Sequence, residues 1–301
     1  MLMRKICVKG LYAALIVLVG CTMAKADNYL GLPSIGVRGQ SMGNAFVAVA
    51  NDISAIGWNP AGLSFVKDQQ GQVAHSDLYQ LGVDYNYAAY AQNKFGVGWV
   101  HIDSGSFLMG GGDYTQDMFI FSGSQQMDPQ TYIGASLKWH KQKYNPPPST
   151  GSRADEVDAS YYALSGDGYS LDIGALYLVD EVTTVGAAIY DLFGELKTKN
   201  SPKDSSEDSL KPNICIGIAR HTRPDTLYSL QISRLGEEST VHIGFERQLQ
   251  EELILRAGID DEVFTAGLGL LHNEWEINYA YKNETSLGLE ETQRFGAIVH
   301  F

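Results

Sequence analysis

From about Gln72 to the last residue, apolar and polar positions alternate with a period of two, the signature of strands that bury one face. Trp275-Glu276-Ile277-Asn278-Tyr279-Ala280-Tyr281-Lys282 shows it most clearly, with Trp, Ile, Tyr and Tyr on one face and Glu, Asn, Ala and Lys on the other. Ile133, Ala135, Leu137 and Trp139 alternate with Gly134, Ser136, Lys138 and His140, and Val241, Ile243 and Phe245 alternate with His242, Gly244 and Glu246. Read this way, the chain predicts strands over 72–79, 82–92, 95–103, 115–126, 130–143, 167–179, 183–192, 210–221, 226–235, 239–249, 252–260, 263–272, 274–283 and 291–301. That is an even number, and most lengths are close to the roughly 9–11 residues a tilted strand needs to cross a bilayer.

A soluble sandwich alternates too, with its apolar face turned inward. Here the second face mixes glycines with isolated charges, as a crowded lumen does. The apolar face carries aromatics near strand ends (Tyr169 and Tyr177, Trp275 and Tyr281), like interfacial girdles. The connections also separate by parity. Odd-to-even links include the long polar segments 104–114, 144–166, 193–209 and 284–290, whereas even-to-odd links are short throughout. Outer-membrane barrels have this division between long outside loops and short periplasmic turns. Phe295, Ala297, Val299 and Phe301 share a face of the last strand, and Phe301 reads as a barrel-insertion signal for the assembly machinery. The expected fold is all-β: a fourteen-stranded antiparallel transmembrane barrel with a short helical N-terminal plug, in the bacterial outer membrane and in contact with its lipid.

The plug is read from a stretch unlike the strands, Gly36 to Ser64 (GVRGQSMGNAFVAVANDISAIGWNPAGLS). Ser41 is placed to cap a helix on which Met42, Phe46, Val49 and Ile53 recur at helical spacing, and Asn51-Asp52 loosens it. A second short turn follows, with Asn59 as cap and Pro60 in the first helical position. Fourteen strands close to a bore between side-chain-filled eight-stranded barrels and open porins, so the bore is either wet or plugged. Residues 27–66 have about the mass of such a plug, leaving 67–301 as the barrel.

Residues 1–26 read as an export signal. Arg4, Lys5 and Lys9 precede the apolar run Gly10–Gly20, and Ala24-Lys25-Ala26 offers a cleavage site. Leu18-Val19-Gly20-Cys21 resembles a lipobox, which would leave Cys21 acylated; cleavage after Ala26 is the preferred reading. Removing this segment deletes four cations and no anions, taking the net charge from −13 to −17. Such an acidic chain is a poor nucleic-acid partner. Of the three cysteines only Cys215 then remains, so an internal disulfide is excluded.

GQSMGNAFVAVANDISAIGWNPAGLS resembles the N-terminal signature of the FadL/TodX-type outer-membrane transport family and its shorter relatives PorV and PorQ. The match lies in the small-residue turn, the AFVA-like segment, the Asn-Asp step and Asn59-Pro60-Ala61-Gly62-Leu63. Ser170–Tyr177 (SLDIGALY) and Val185–Tyr190 (VGAAIY) resemble the PorV-like branch. The resemblance implies a hatch inside the barrel, with Gly43, Asn44, Phe46, Asn59, Pro60, Ala61 and Gly62 as its plug or gate motif. It implies either passive uptake of small hydrophobic compounds or, in PorV-like members, a secretion role binding exported proteins. The segments 144–166 and 193–209 are rich in Pro, Ser and charge, unlike a large apolar capture groove.

No enzyme or cofactor is expected. His140 shares the lumen face with Ser136, and His242 with Glu246, but neither spacing assembles nucleophile, base and orienting acid. Gly110-Gly111-Gly112 precedes no helix and so is not a phosphate cradle. The acidic groups Asp155, Glu156, Asp158 and Asp204, Glu207, Asp208 lack ordered metal-ligand spacing. Lys138, Asp172, His242, Glu246, Arg256 and Glu276, with Lys282, are expected to line the lumen, where opposite charges on nearby strands can pair and hold the plug.

Overall fold

The computed structural model describes residues 35–105, 112–145, 163–200, 204–234, 239–284 and 290–301. The export signal, Cys21, Gly110 and Gly111, and the acidic group at 155–158 lie outside them. Consecutive antiparallel strands form one continuous sheet: β1 Gln70–Leu78, β2 Val83–Gln92, β3 Phe95–Asp103, β4 Asp113–Gln126, β5 Thr131–Asn145, β6 Leu164–Leu178 and β7 Thr183–Asn200. Next come β8 Asp204–Ser209, β9 Asn213–Arg223, β10 Thr226–Ser233, β11 Thr240–Gln250, β12 Leu253–Asp260, β13 Val263–His272, β14 Trp275–Lys282 and β15 Thr292–His300. β15 pairs back onto β1 and β6 onto β7, so the sheet closes.

Fifteen segments make fourteen staves. β8 pairs with the upper half of β7, from Glu195↔Ser209 to Asn200↔Asp204, and β9 pairs with the lower half, from Thr183↔Arg220 to Tyr190↔Asn213. Together they form one broken stave, interrupted at Leu210-Lys211-Pro212, where Pro212 has no N–H to give the ladder. This corrects the sequence reading of 193–209 as a loop: most of it is a hairpin. Its residues carry no apolar alternation because that part of the ladder has little apolar face to bury, and so the hydrophobic pattern could not show it.

Local chemistry fixes the short turns. Asn93 and Lys94 both take positive φ (50° and 72°), the geometry of a two-residue hairpin that follows the strands' own twist. In the β4–β5 turn, Asp128 Oδ1 accepts from the N–H groups of Gln130 and Thr131, each at 2.9 Å. The outer surface is a belt of exposed apolar side chains, including Phe95, Phe121, Trp139, Leu230, Ile243, Leu268, Trp275 and Phe295. On the same strands Ser136, Lys138, Arg256 and Asn278 are buried inside. No helix among the described residues is long and apolar enough to cross a membrane.

Residues 35–66 fill the lumen, but not as the expected amphipathic helix. Arg38–Ser41 form a single turn that Ser41 ends rather than caps, and residues 42–54 run through turns. Gly43 and Asn44 have φ of 62° and 61°, which a right-handed helix cannot accommodate. A Cβ on Gly43 would also lie 2.5 Å from the Ile259 nitrogen and 2.6 Å from the Ile243 oxygen. Met42, Phe46, Val49 and Ile53 are all buried because wall surrounds the segment on every side, so no helical stripe is required. Ala55–Trp58 make a second short helix and Pro60–Phe65 a 3-10 turn. Phe46 meets Trp58 edge-on at 5.7 Å in the apolar centre, against Tyr85, Tyr87, Val100, Met118 and Ile120 of the wall.

The register makes a direct prediction. Leu268→Arg places a charge on the lipid face in mid-strand and is expected to destabilise the barrel by about 2–4 kcal/mol. Urea unfolding in lipid vesicles, followed by the gel mobility of unheated samples, measures this; an unchanged midpoint would refute the assigned face.

Candidate functional site

The hatch is irregular backbone in a confined space, and its N–H and C=O groups need partners. Wall side chains supply many of them. Gln231 Oε1 accepts from the N–H groups of Phe46 (3.0 Å) and Val47 (2.8 Å), Gln70 Oε1 accepts from Ile53 N–H (3.0 Å), and Ile56 O accepts from the Ser122–Ser136 hydroxyl pair, whose oxygens lie 3.2 and 3.3 Å from it. Tyr190 donates its hydroxyl to Trp58 O. Fully buried Asn59 caps the 3-10 turn through Oδ1, which accepts from Ala61 N–H at 3.2 Å. Its Nδ2 donates to Val47 O at 2.8 Å within the hatch and to Ala175 O of β6 at 3.0 Å. One side chain therefore joins two hatch segments to the wall. Pro60, Ala61 and Gly62 are buried beside it, next to wall glycines: Gly174 packs on Asn59 and Pro60, and Gly134 on the Pro60–Ala61 backbone.

Two ionic clusters flank the hatch. Towards the short-turn side, Arg38 grips Glu246 with two bonds of 2.7 Å and also reaches Asp52 and Asn51, each at 2.7 Å. Arg256 binds the same Glu246 at 2.6 Å, Glu276 at 3.1 Å and Asn278 at 2.5 Å. The fork-to-carboxylate geometry fixes orientation as well as distance. Towards the long-connection side, Lys138 Nζ lies 2.8 Å from Asp172 and 2.6 Å from Asp191. His242 Nδ1 is 2.8 Å from Asp260, whose second oxygen is 3.0 Å from Lys282 Nζ and accepts from Asn44 Nδ2 at 2.7 Å. Lys282 also meets Glu284 at 2.9 Å. Arg294 donates to Gly36 O at 2.8 Å and lies over the Tyr85 ring at 4.1 Å.

Between the hatch and the long-connection rim is a cavity of about 550 Å³. Ile35 and Trp58 of the hatch and Leu78, Met118 and Ile120 of the wall give it an apolar side, and the second ionic cluster gives it a charged one. A smaller cavity of about 170 Å³ lies on the opposite side, bordered by Ala48, Val49, Ala50 and Phe65. The hatch separates the two. The larger cavity also touches an irregular patch of wall. The β6–β7 register jumps between Leu171 and Ile173, and Asp191 sits there with φ of 53° beside the break in the eighth stave.

The lumen residues named from sequence thus fall into separate groups: Glu246, Arg256 and Glu276 on one side of the hatch, Lys138, Asp172 and His242 on the other. The residues weighed for catalysis are otherwise engaged. His140 Nε2 is 3.1 Å from Ser170 Oγ, while Ser136 shares a 2.7 Å bond with Ser122. Among the described residues no group of three His, Cys, Asp or Glu side chains is placed to hold a metal. Phe301 is exposed at the end of β15, its N–H donating to Gln69 O at 2.9 Å. Sequence reasoning did not single out Arg38, Gln231, Asp191, Asp260 or Arg294. Period-two counting places Arg294 inward beside Phe295, but nothing local marks Arg38 as the hatch's anchor.

Arg38→Ala leaves the part-buried Asp52 without its cation and Glu246 with Arg256 alone, at a cost below the roughly 3–5 kcal/mol of a fully buried broken pair. The expected result is a folded barrel whose hatch amides exchange faster than those of the wall, read by hydrogen exchange in detergent; uniform protection would show that the knot does not anchor the hatch.

No family sequence model matches the chain, and no curated protein matches it by sequence. Solved structures do. The CymD monoaromatic hydrocarbon channel superposes with a TM-score of 0.65 at 12% identity, over 90% of this chain and 99% of that one. A Pseudomonas aeruginosa FadL homologue gives 0.61 at 12% identity over 90% and 99%, and the Pseudomonas putida toluene transporter TodX 0.58 at 14% over 91% and 98%. CymD is a channel and TodX a transporter, and they lend no support to the PorV/PorQ branch. The chain has the fold of the FadL/TodX/CymD outer-membrane barrels.

Proposed function

We propose that this protein is a passive outer-membrane conduit for small molecules with a hydrophobic part, obstructed at rest by residues 35–66. The observation that carries the reading is the hatch, which stands between a 550 Å³ cavity on the long-connection side and a 170 Å³ cavity on the other. Neither a filled barrel nor an open pore has this arrangement. The likeness in fold to hydrocarbon channels supports it. The apolar side of the larger cavity would receive the ligand, and its volume lies within the range of small-molecule sites.

Movement around Asn59-Pro60 is the proposed gate. Asn59 makes its bonds to Val47, Ala61 and Ala175 from a single side chain, so one change of rotamer loosens the hatch from itself and from β6 together. Hatch bonds made by neutral amides cost less to exchange than the arginine knot, which stays closed as a hinge.

Single-channel recording and liposome swelling test the reading on the full chain, an Asn59→Ala variant and a chain lacking residues 30–64, each first shown to migrate as a folded barrel without heating. The full chain is expected to stay closed, Asn59→Ala to show brief openings, and the deletion to leak continuously. Equal behaviour of all three would overturn the plugged-conduit reading. In that case co-purification with an exported protein, the alternative role, becomes the result to seek.

A further inference from the structure

The larger cavity carries more carboxylates than its ammonium groups can neutralise. Lys138 serves both Asp172 and Asp191, and Lys282 serves both Asp260 and Glu284. Asp172, Asp191 and Glu284 are nearly fully buried, where unbalanced negative charge is costly. Arg294, which donates to Gly36 O and covers Tyr85, also faces Glu284, and Arg234 borders the same space, yet six carboxylates (Asp172, Asp191, Asp260, Asp261, Glu262 and Glu284) still stand against four lysines and arginines.

A second observation concerns the cavity floor. Gln40 is 2% exposed and borders the cavity, and its side-chain Oε1 is buried with no donor among the described residues. Nearby, Asn44 commits its nitrogen to Asp260 while its oxygen is buried with no donor. A buried amide left without a partner costs about 1–3 kcal/mol, so it marks a place where a donor is missing. Trp58 borders the same cavity, and indole faces attract cations.

We propose that this cavity is a binding site for small organic ammonium ions with an apolar body, such as an aryl- or alkylamine. The ammonium donates to the amide oxygens of the floor and to the under-neutralised carboxylates, while the apolar body lies against Leu78, Met118 and Ile120. A neutral hydrocarbon gains only the apolar side, and a carboxylate of the same size meets like charge. The inference rests on the conduit reading for its biological purpose, though not for its test.

The experiment is isothermal titration of the full chain in detergent with three probes of similar shape: 2-phenylethylammonium, 2-phenylethanol and 3-phenylpropionate. Saturable binding of the ammonium, at least tenfold tighter than either other probe, is expected. Gln40→Leu should reduce ammonium affinity about tenfold, with unheated gel mobility confirming the folded barrel. Asp191→Asn should narrow the gap between ammonium and alcohol. Equal affinity for all three probes, or none for any, overturns the proposal. Selective binding with a chain that never conducts would sink the conduit reading instead and leave the site standing. Conduction without ammonium preference would do the opposite.

Discussion

A fourteen-stave barrel encloses more space than its own inward side chains can fill, and the rest of the structure follows from that constraint. Much of that space is occupied by chain, and the backbone buried there must find hydrogen-bond partners in the protein. Wall side chains provide them: Gln231 for Phe46 and Val47, Gln70 for Ile53, Ser122 and Ser136 for Ile56. This explains why the lumen face is neither uniformly apolar nor uniformly charged. It carries amides and hydroxyls where the hatch backbone needs them, and glycine where that backbone comes too close for a side chain, as at Gly186 against Val47 and Ala48.

Charge is then divided by height. On the short-turn side, arginine forks meet carboxylates in a knot that spans hatch, β11, β12 and β14, with orientation fixed by bidentate geometry. On the long-connection side two lysines are each shared by two carboxylates, beside open space that Arg234 and Arg294 also border. The arginine knot is suited to holding and the lysine clusters to exchange, because an ammonium is a point charge with rotatable donors and no planar fork. A site able to accept a further cation is therefore found above the hatch, and a structural lock below it.

The wall is least regular where that cavity touches it. The register jump between Leu171 and Ile173, the positive φ of Asp191 and the break at Leu210-Lys211-Pro212 all lie along β7 and its two neighbours. Asp191 N–H turns to Asp172 Oδ1 at 2.8 Å instead of a ladder partner. The buried Lys138 thus neutralises part of a charge cluster that is itself built from an interruption of the sheet.

Much was legible from residue order. A strand has a period of two whatever surrounds it, so the staves, their inward and outward faces and the parity of long and short connections could be counted from Trp275–Lys282 and its like. The Asn59-Pro60 turn was legible because a cap and a first-position proline act within a few residues. The hatch's path was not. Met42, Phe46, Val49 and Ile53 fall at helical spacing, yet their burial comes from a wall on all sides, so the spacing carried no information about the backbone. Nor could sequence show that Arg38 meets Glu246, 208 positions away, or that Asp191 and Asp172 share one lysine. Local sequence settles what local sterics and alternation control; closing the barrel decides which charges meet across the lumen, because only closure brings distant strands and the hatch within reach of one another.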